Sequence, residues 1–96
     1  MDPREIVVTV KDKEVICTPP EVDVRGGDTV QWTSSNQILV QFVNANPFDE
    51  TGPFTAGQIA TVSRSAEEGT YTPDITVVSE GITAKKAIGD VKVGRP

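Results

Sequence analysis

The sequence predicts an all-β domain, built as a two-sheet Greek-key sandwich of about seven or eight strands. Short apolar stretches alternate with polar residues at a period of two, which is typical of half-buried strands. Glycine and proline, 8 and 7 of the 96 residues, separate these stretches. No stretch combines the length and the period of an amphipathic helix. The length suits one domain, which we expect to cover residues 1–96.

The first half of the chain contains five predicted strands. Pro19-Pro20 marks the end or edge of a strand, because proline has no backbone donor. Gly26-Gly27-Asp28 supplies a tight turn, and Ser34-Ser35-Asn36 interrupts the strand that contains Trp32. The predicted strands are residues 6–10, 15–17, 22–24, 30–32 and 38–43.

The second half begins with a predicted long loop over residues 44–57, which holds Asn46-Pro47 and Gly52-Pro53. The β-branched and aromatic residues that follow favour strands on either side of a turn at Glu67-Glu68-Gly69. Residues 82–88 are predicted to be a weak strand or a loop. The predicted strands of this half are residues 59–64, 70–78 and 91–93.

The composition excludes several classes of function. The net charge is −5, from 9 Lys and Arg against 14 Asp and Glu, and the basic residues form no stripe. Nucleic-acid binding needs such a stripe, so we predict no nucleic-acid partner. No apolar run approaches the roughly 20 residues that span a bilayer, so we predict no membrane insertion.

The only cysteine, Cys17, excludes an intramolecular disulfide. The first residues show neither a basic segment nor a long apolar segment of a secretory signal. We therefore expect either a cytosolic protein or one whose leader has been removed, and the sequence does not separate the two. The oligomeric state is equally unresolved.

Three stretches resemble the cupredoxin (blue-copper) family. Residues 17–32 are similar to that family's run of aromatic-x-Pro-x-x-Val-x-Val followed by Gly-Asp-x-Val-x-Trp. Residues 48–57 and then 66–71 are similar to its Gly-Gln loop and its Gly-x-Tyr entry to the ligand strand, and residues 89–93 to its final strand. The resemblance implies a cupredoxin fold, and a periplasmic or extracellular location if a leader was removed.

The copper ligands of that family are missing from this chain. A blue-copper centre uses two histidines, a cysteine and often a weak axial methionine. This chain has no histidine, and its only methionine is Met1. The resemblance places Ile38 at the first histidine position and Ile75 at the cysteine position. We therefore predict no cofactor, with both isoleucines filling the former metal pocket and each contributing roughly 1.5–3 kcal/mol by burial.

An immunoglobulin-like sandwich is the alternative fold, with an adhesion or interaction role. The stretch Glu67-Glu68-Gly69-Thr70-Tyr71 resembles the corner before that family's second cysteine, but the matching position is Pro73 and no disulfide partner exists. A parallel pairing between the first strands would favour the cupredoxin alternative. In either fold Trp32 is expected to anchor the core, and Cys17 to be a small buried hydrophobe rather than a reactive thiol.

No catalytic set is recognisable, so we predict that the protein is not an enzyme. Nucleophilic catalysis usually needs a base next to the nucleophile, most often histidine, which is absent. Asp49-Glu50 and Glu67-Glu68 are interpreted as solvated loop charge. A calcium site would use the oxygen atoms of residues 44, 46, 49 and 50, but their spacing matches no known calcium loop.

By elimination, the sequence favours a non-catalytic binding or structural module, with another protein as its candidate partner. Apolar residues predicted on the outer face of strand 38–43, beside the aromatic residues of the long loop, form a candidate contact patch: Leu39, Val43, Phe48 and Phe54. The alternative is that the loop folds over this face and buries these side chains.

Overall fold

The computed structural model describes residues 3–43, 45–85 and 88–94. The strands of these residues are β1 (Arg4–Lys11), β2 (Glu14–Thr18), β3 (Glu21–Val24), β4 (Thr29–Thr33), β5 (Ile38–Gln41), β6 (Phe54–Thr55), β7 (Ile59–Thr61), β8 (Gly69–Tyr71), β9 (Asp74–Val77), β10 (Ile82–Ala84) and β11 (Asp90–Val93). One turn of 3₁₀ helix covers Val78–Glu80. Within the described ranges, no helix has the length and the apolar character needed to cross a bilayer.

The strands form three hydrogen-bonded sheets among the described residues, with the orders β2-β1-β4-β7, β10-β9-β5-β6 and β3-β11-β8. The predicted strand 70–78 is divided into β8 and β9, which belong to different sheets. The division falls at Thr72 and Pro73, where proline offers no donor to a ladder. The other strands beyond the expected seven or eight are β6, which lies inside the predicted loop, and β10.

Two of the strand pairs are parallel. β1 pairs with β4, with Ile6 opposite Trp32, and β3 pairs with β11, with Val22 opposite Val91. Parallel neighbours need a long crossover, and here the segment with β2 and β3 connects β1 to β4. This is the parallel element among the first strands that separates the two alternative folds.

Local turn chemistry fixes the strand ends. β1 and β2 are joined by Asp12 and Lys13, both with positive φ (53° and 65°), as in the tight hairpin turns that match strand twist. Between β3 and β4, the Asp28 carboxylate accepts the backbone N–H of Arg25 at 2.9 Å. Gly27, at φ 93°, donates its N–H to the carbonyl of Val62 at 2.8 Å.

Trp32 lies at the centre of the core and is fully buried, as predicted. The ring centroids of Phe42, Phe48 and Phe54 lie 6.0, 5.7 and 5.9 Å from that of Trp32. These separations are within the range of favourable aromatic pairs. The long loop therefore contributes two of the rings that cover the tryptophan, because Phe48 and Phe54 both turn inward.

Candidate functional site

Ile38 and Ile75, which the sequence resemblance aligns with two copper ligands, lie on neighbouring antiparallel strands. Val40 is opposite Ile75 and Ile38 is opposite Val77, so all four residues share one face of the sheet. Ile38 and Ile75 are diagonal neighbours, which in standard sheet geometry puts them about 7–8 Å apart. Both are 0% exposed. The fold thus brings Ile38 and Ile75, the two residues that the resemblance aligns with copper ligands, together in the interior.

Gly89 brings Ile75, Cys17 and Trp32 together at one point. A Cβ placed on Gly89 would lie 3.1 Å from Cδ1 of Ile75, 3.3 Å from Sγ of Cys17 and 3.7 Å from Nε1 of Trp32. Its φ of 79° is one that side chains rarely adopt. Glycine at this position therefore lets the backbone approach the core closely, and a larger residue would require the side chains of Ile75 and Cys17 to shift by a few tenths of an ångström.

Cys17 is 5% exposed, which confirms the prediction that its side chain is buried. Burial, and secondarily the negative charge of Asp90, raises the pKa of the thiol to about 11. The thiolate is the form that attacks electrophiles and binds metals, and at neutral pH this group stays protonated. Cys17 is consequently suited to packing rather than to chemistry.

The indole Nε1 of Trp32 is buried and has no hydrogen-bond partner among the described residues. An unsatisfied buried donor of this kind costs about 1–3 kcal/mol. An N–H group is also no ligand for a cation, because its lone pair belongs to the ring system. The stabilisation from burying the Trp32 ring therefore exceeds the cost of leaving its N–H group without a hydrogen bond.

The side chains around Ile38 and Ile75 do not fit a copper ion. Copper takes imidazole and thiolate ligands, whereas these positions present hydrocarbon, an N–H donor and one protonated thiol. Residues 3–43, 45–85 and 88–94 contain no cluster of three or more His, Cys, Asp or Glu side chains that could hold a metal.

Two of the four residues of the candidate contact patch are buried, and two are not. Phe48 and Phe54 are 5% and 1% exposed, because their rings pack on Trp32. Leu39 is half-buried on the outer face, and Val43 remains 59% exposed, so the loop does not cover it. The alternative, burial of the whole patch, therefore applies only to the two phenylalanines.

Leu39 lies within a row of threonines that crosses the outer face of its sheet. Its register partners are Thr55 and Thr76, and Thr76 in turn is opposite Thr83. The hydroxyls of Thr76 and Thr83 are 3.0 Å apart and hydrogen-bonded. This row is uncharged, which distinguishes it from the acidic chain as a whole.

The oxygen-rich loop after β5 uses its polar groups internally. Oε1 of Glu50 accepts the backbone N–H of Thr61 at 2.8 Å, and the Asn46 side-chain amide donates to the Glu50 carbonyl at 2.6 Å. Oδ1 of Asn46 accepts the N–H of Phe48 at 3.0 Å. Glu50 is therefore a structural contact rather than the solvated charge that we predicted, and Asn44 of the considered calcium set lies outside the described residues.

Sequence patterns did not reveal a charged cleft of about 530 Å³. Arg4, Arg25 and Lys92 line it together with Asp23 and Asp28. These residues come from three strands and a turn, and the parallel pairings bring them together. Only their scattered positive charges were visible in the sequence.

Comparisons with known proteins support the fold. No protein-family model matches the chain, and no curated protein matches it. A purple cupredoxin from Nitrosopumilus maritimus superposes with a TM-score of 0.52 at 20% identity, covering 95% of this chain and 99% of that one. Pseudoazurin from Methylobacterium extorquens AM1 gives a TM-score of 0.49 at 14% identity, covering 97% and 76%. The superposition on the purple cupredoxin confirms the predicted fold: this chain has the cupredoxin fold.

Proposed function

We propose that this protein is a copper-free, cupredoxin-like domain that acts as a non-catalytic binding or structural module, with another protein as its partner. One observation supports the proposal: Ile38 and Ile75, which the sequence resemblance aligns with a histidine and the cysteine of the copper site, are both fully buried on one face of their sheet. A chain without histidine has no imidazole to replace them.

The same residues argue against catalysis. The one thiol is buried and has a pKa of about 11, so it is not an activated nucleophile. The Glu50 carboxylate binds a backbone N–H of the protein itself, which leaves it a structural role.

The outer face of the β10-β9-β5-β6 sheet supports a protein partner. Val43 and Val78 are 59% and 43% exposed, and Leu39 lies between them along β5 and β9. Val78 is next to the start of β5, since its N–H donates to the carbonyl of Gln37 at 2.8 Å. We infer that these apolar side chains, exposed on one face, form the contact surface.

Copper titration tests the first half of the proposal. Because a ligand that binds only the folded state raises its stability, a real copper site would raise the thermal midpoint and produce an intense thiolate-to-copper absorption band. We expect no rise of the thermal midpoint with Cu(I) or Cu(II), and no such band with Cu(II), in the wild type or in Cys17→Val. A visible charge-transfer band that disappears in Cys17→Val would overturn the copper-free assignment.

Site-specific crosslinking tests the second half. A photoreactive residue at Leu39, on the outer face, is compared in the native cell with one at Thr9, an exposed position on β1. We expect a discrete crosslinked protein from position 39 only, lost when Val43 is changed to Lys. Identical products from both positions, or none from position 39, would contradict a partner at this face.

A further inference from the structure

The cleft of about 530 Å³ gathers positive charge in an acidic protein. Arg4, Arg25 and Lys92 line it, three of only 9 basic residues in a chain with a net charge of −5. Side chains of one sign in a concave site reinforce each other's field and attract the opposite charge. Asp23 and Asp28 line the cleft as well, so its side chains carry a net charge of +1, which favours an anion in a chain whose net charge is −5.

The strand register fixes the position of the cleft. Arg4 begins β1 and is opposite Val30 near the start of β4, and Arg25 directly follows β3. The cleft thus lies where β4 begins, whereas Ile38 follows the other end of β4. The two regions are at opposite ends of that strand, so the cleft is separate from the former metal position.

The two carboxylates of the cleft already have neighbours. Oδ2 of Asp28 accepts the backbone N–H of Arg25 at 2.9 Å and holds the turn. Asp23 is the register partner of Lys92 on the parallel pair β3–β11, where opposite charges offset one another. Three basic side chains therefore face two carboxylates, and the cleft keeps one unmatched positive charge beside the guanidinium groups of Arg4 and Arg25.

A third arginine approaches the same turn from the other side. A Cβ placed on Gly27 would lie 2.8 Å from Nη2 of Arg64, so the guanidinium of Arg64 packs on the Arg25–Asp28 turn. Arg64 belongs to a neighbouring cleft of about 430 Å³. Its charge adds to the positive potential around the turn without occupying the first cleft.

We propose that this cleft binds a small oxyanion, the carboxylate or phosphate group of a ligand, with Arg4 and Arg25 as its main contacts. Guanidinium groups match both anions through paired, parallel N–H donors. The site goes beyond the proposed binding role, because it depends neither on the outer face of the β10-β9-β5-β6 sheet nor on the absence of copper.

Titration followed by backbone amide NMR tests this site, with inorganic phosphate and with citrate as separate probes at low ionic strength. We expect shifts at residues 23–28 and 92–94 that saturate with either probe. Saturation by phosphate alone identifies a phosphate site and by citrate alone a carboxylate site. The apparent affinity should fall as sodium chloride is added, because the charged groups are exposed.

The variant Arg4→Gln/Arg25→Gln should weaken binding by about tenfold or more, since each removes a charged donor. The matched control is Lys11→Gln/Lys13→Gln, which removes the same charge from the far end of β1. It should change the affinity by about twofold or less through net charge alone. Circular dichroism checks that both variants fold. Absence of saturable shifts with both probes, or equal weakening in the two variants, would overturn the proposal.

Discussion

Truncation of Ile38 or Ile75 to alanine should strongly destabilise the protein. Both side chains are 0% exposed, so alanine removes apolar contacts and leaves a cavity in the core. Such changes cost about 2–5 kcal/mol. A domain of 96 residues has a total free energy of unfolding of roughly 5–14 kcal/mol, so each truncation should remove a large part of it.

Ile59 provides the matched control, because it is the same residue type in a strand but is 49% exposed. Ile59→Ala loses only part of its transfer energy and leaves no cavity, so we expect a cost of about 1 kcal/mol or less. Urea denaturation gives the three values, with the midpoint of Ile38→Ala and Ile75→Ala lowered by at least about 1 M at an unchanged slope. If Ile38→Ala and Ile75→Ala lost no more stability than Ile59→Ala, the hypothesis that both isoleucines fill the former metal pocket by apolar packing would be refuted.

Three further changes test the structure. Burial raises the pKa of the Cys17 thiol from 9.0 to about 11, so the folded state holds the thiol proton more tightly than the unfolded state. The stabilisation from the protonated thiol should be complete below pH 9 and lost as the pH rises through 11. The free energy of unfolding should fall by up to about 2–3 kcal/mol over this range. Denaturation midpoints at pH 8 and 11 should differ less in Cys17→Val than in the wild type. Lys13→Gly should stabilise the hairpin by about 0.5–1 kcal/mol, since Lys13 has φ 65°, and an unchanged thermal midpoint would argue against this turn. Gly89→Ala should cost about 1–3 kcal/mol through strain and contact with Cδ1 of Ile75. A double-mutant cycle with Ile75→Val, which removes that atom, should recover part of the loss, and strictly additive costs would count against the contact.

Alternating patterns predicted the strands that have one buried face. Val22 and Val24, or Ile38 and Val40, face inward because every second residue of a strand points the same way. The burial of Trp32 follows from the same alternation in β4. For these strands the local alternation agrees with the tertiary packing, so the sequence alone is enough to predict which side chains face the core.

The loop after β5 could not be predicted in this way. It has no period, so nothing local shows that Phe48 and Phe54 turn toward Trp32 rather than toward solvent. Glu50 likewise gains its role from Thr61, a residue on another strand. The charged cleft depends on parallel pairings between distant segments, which no stretch of sequence specifies alone.

The place of β11 in its sheet has a consequence for how the chain acquires its structure. β11 is the central strand between β3 and β8, although it comes nearly seventy residues after β3 in the sequence. In the part of the chain that the structure describes, β11 is the only strand paired with β3, so Val22 and Val24 lack this partner until residues 90–93 have been synthesised. Closing so long a segment is slow. During translation this part of the protein should remain open, and ribosome-bound chains that end before Asp90 should be cut by protease near β3 while completed chains resist.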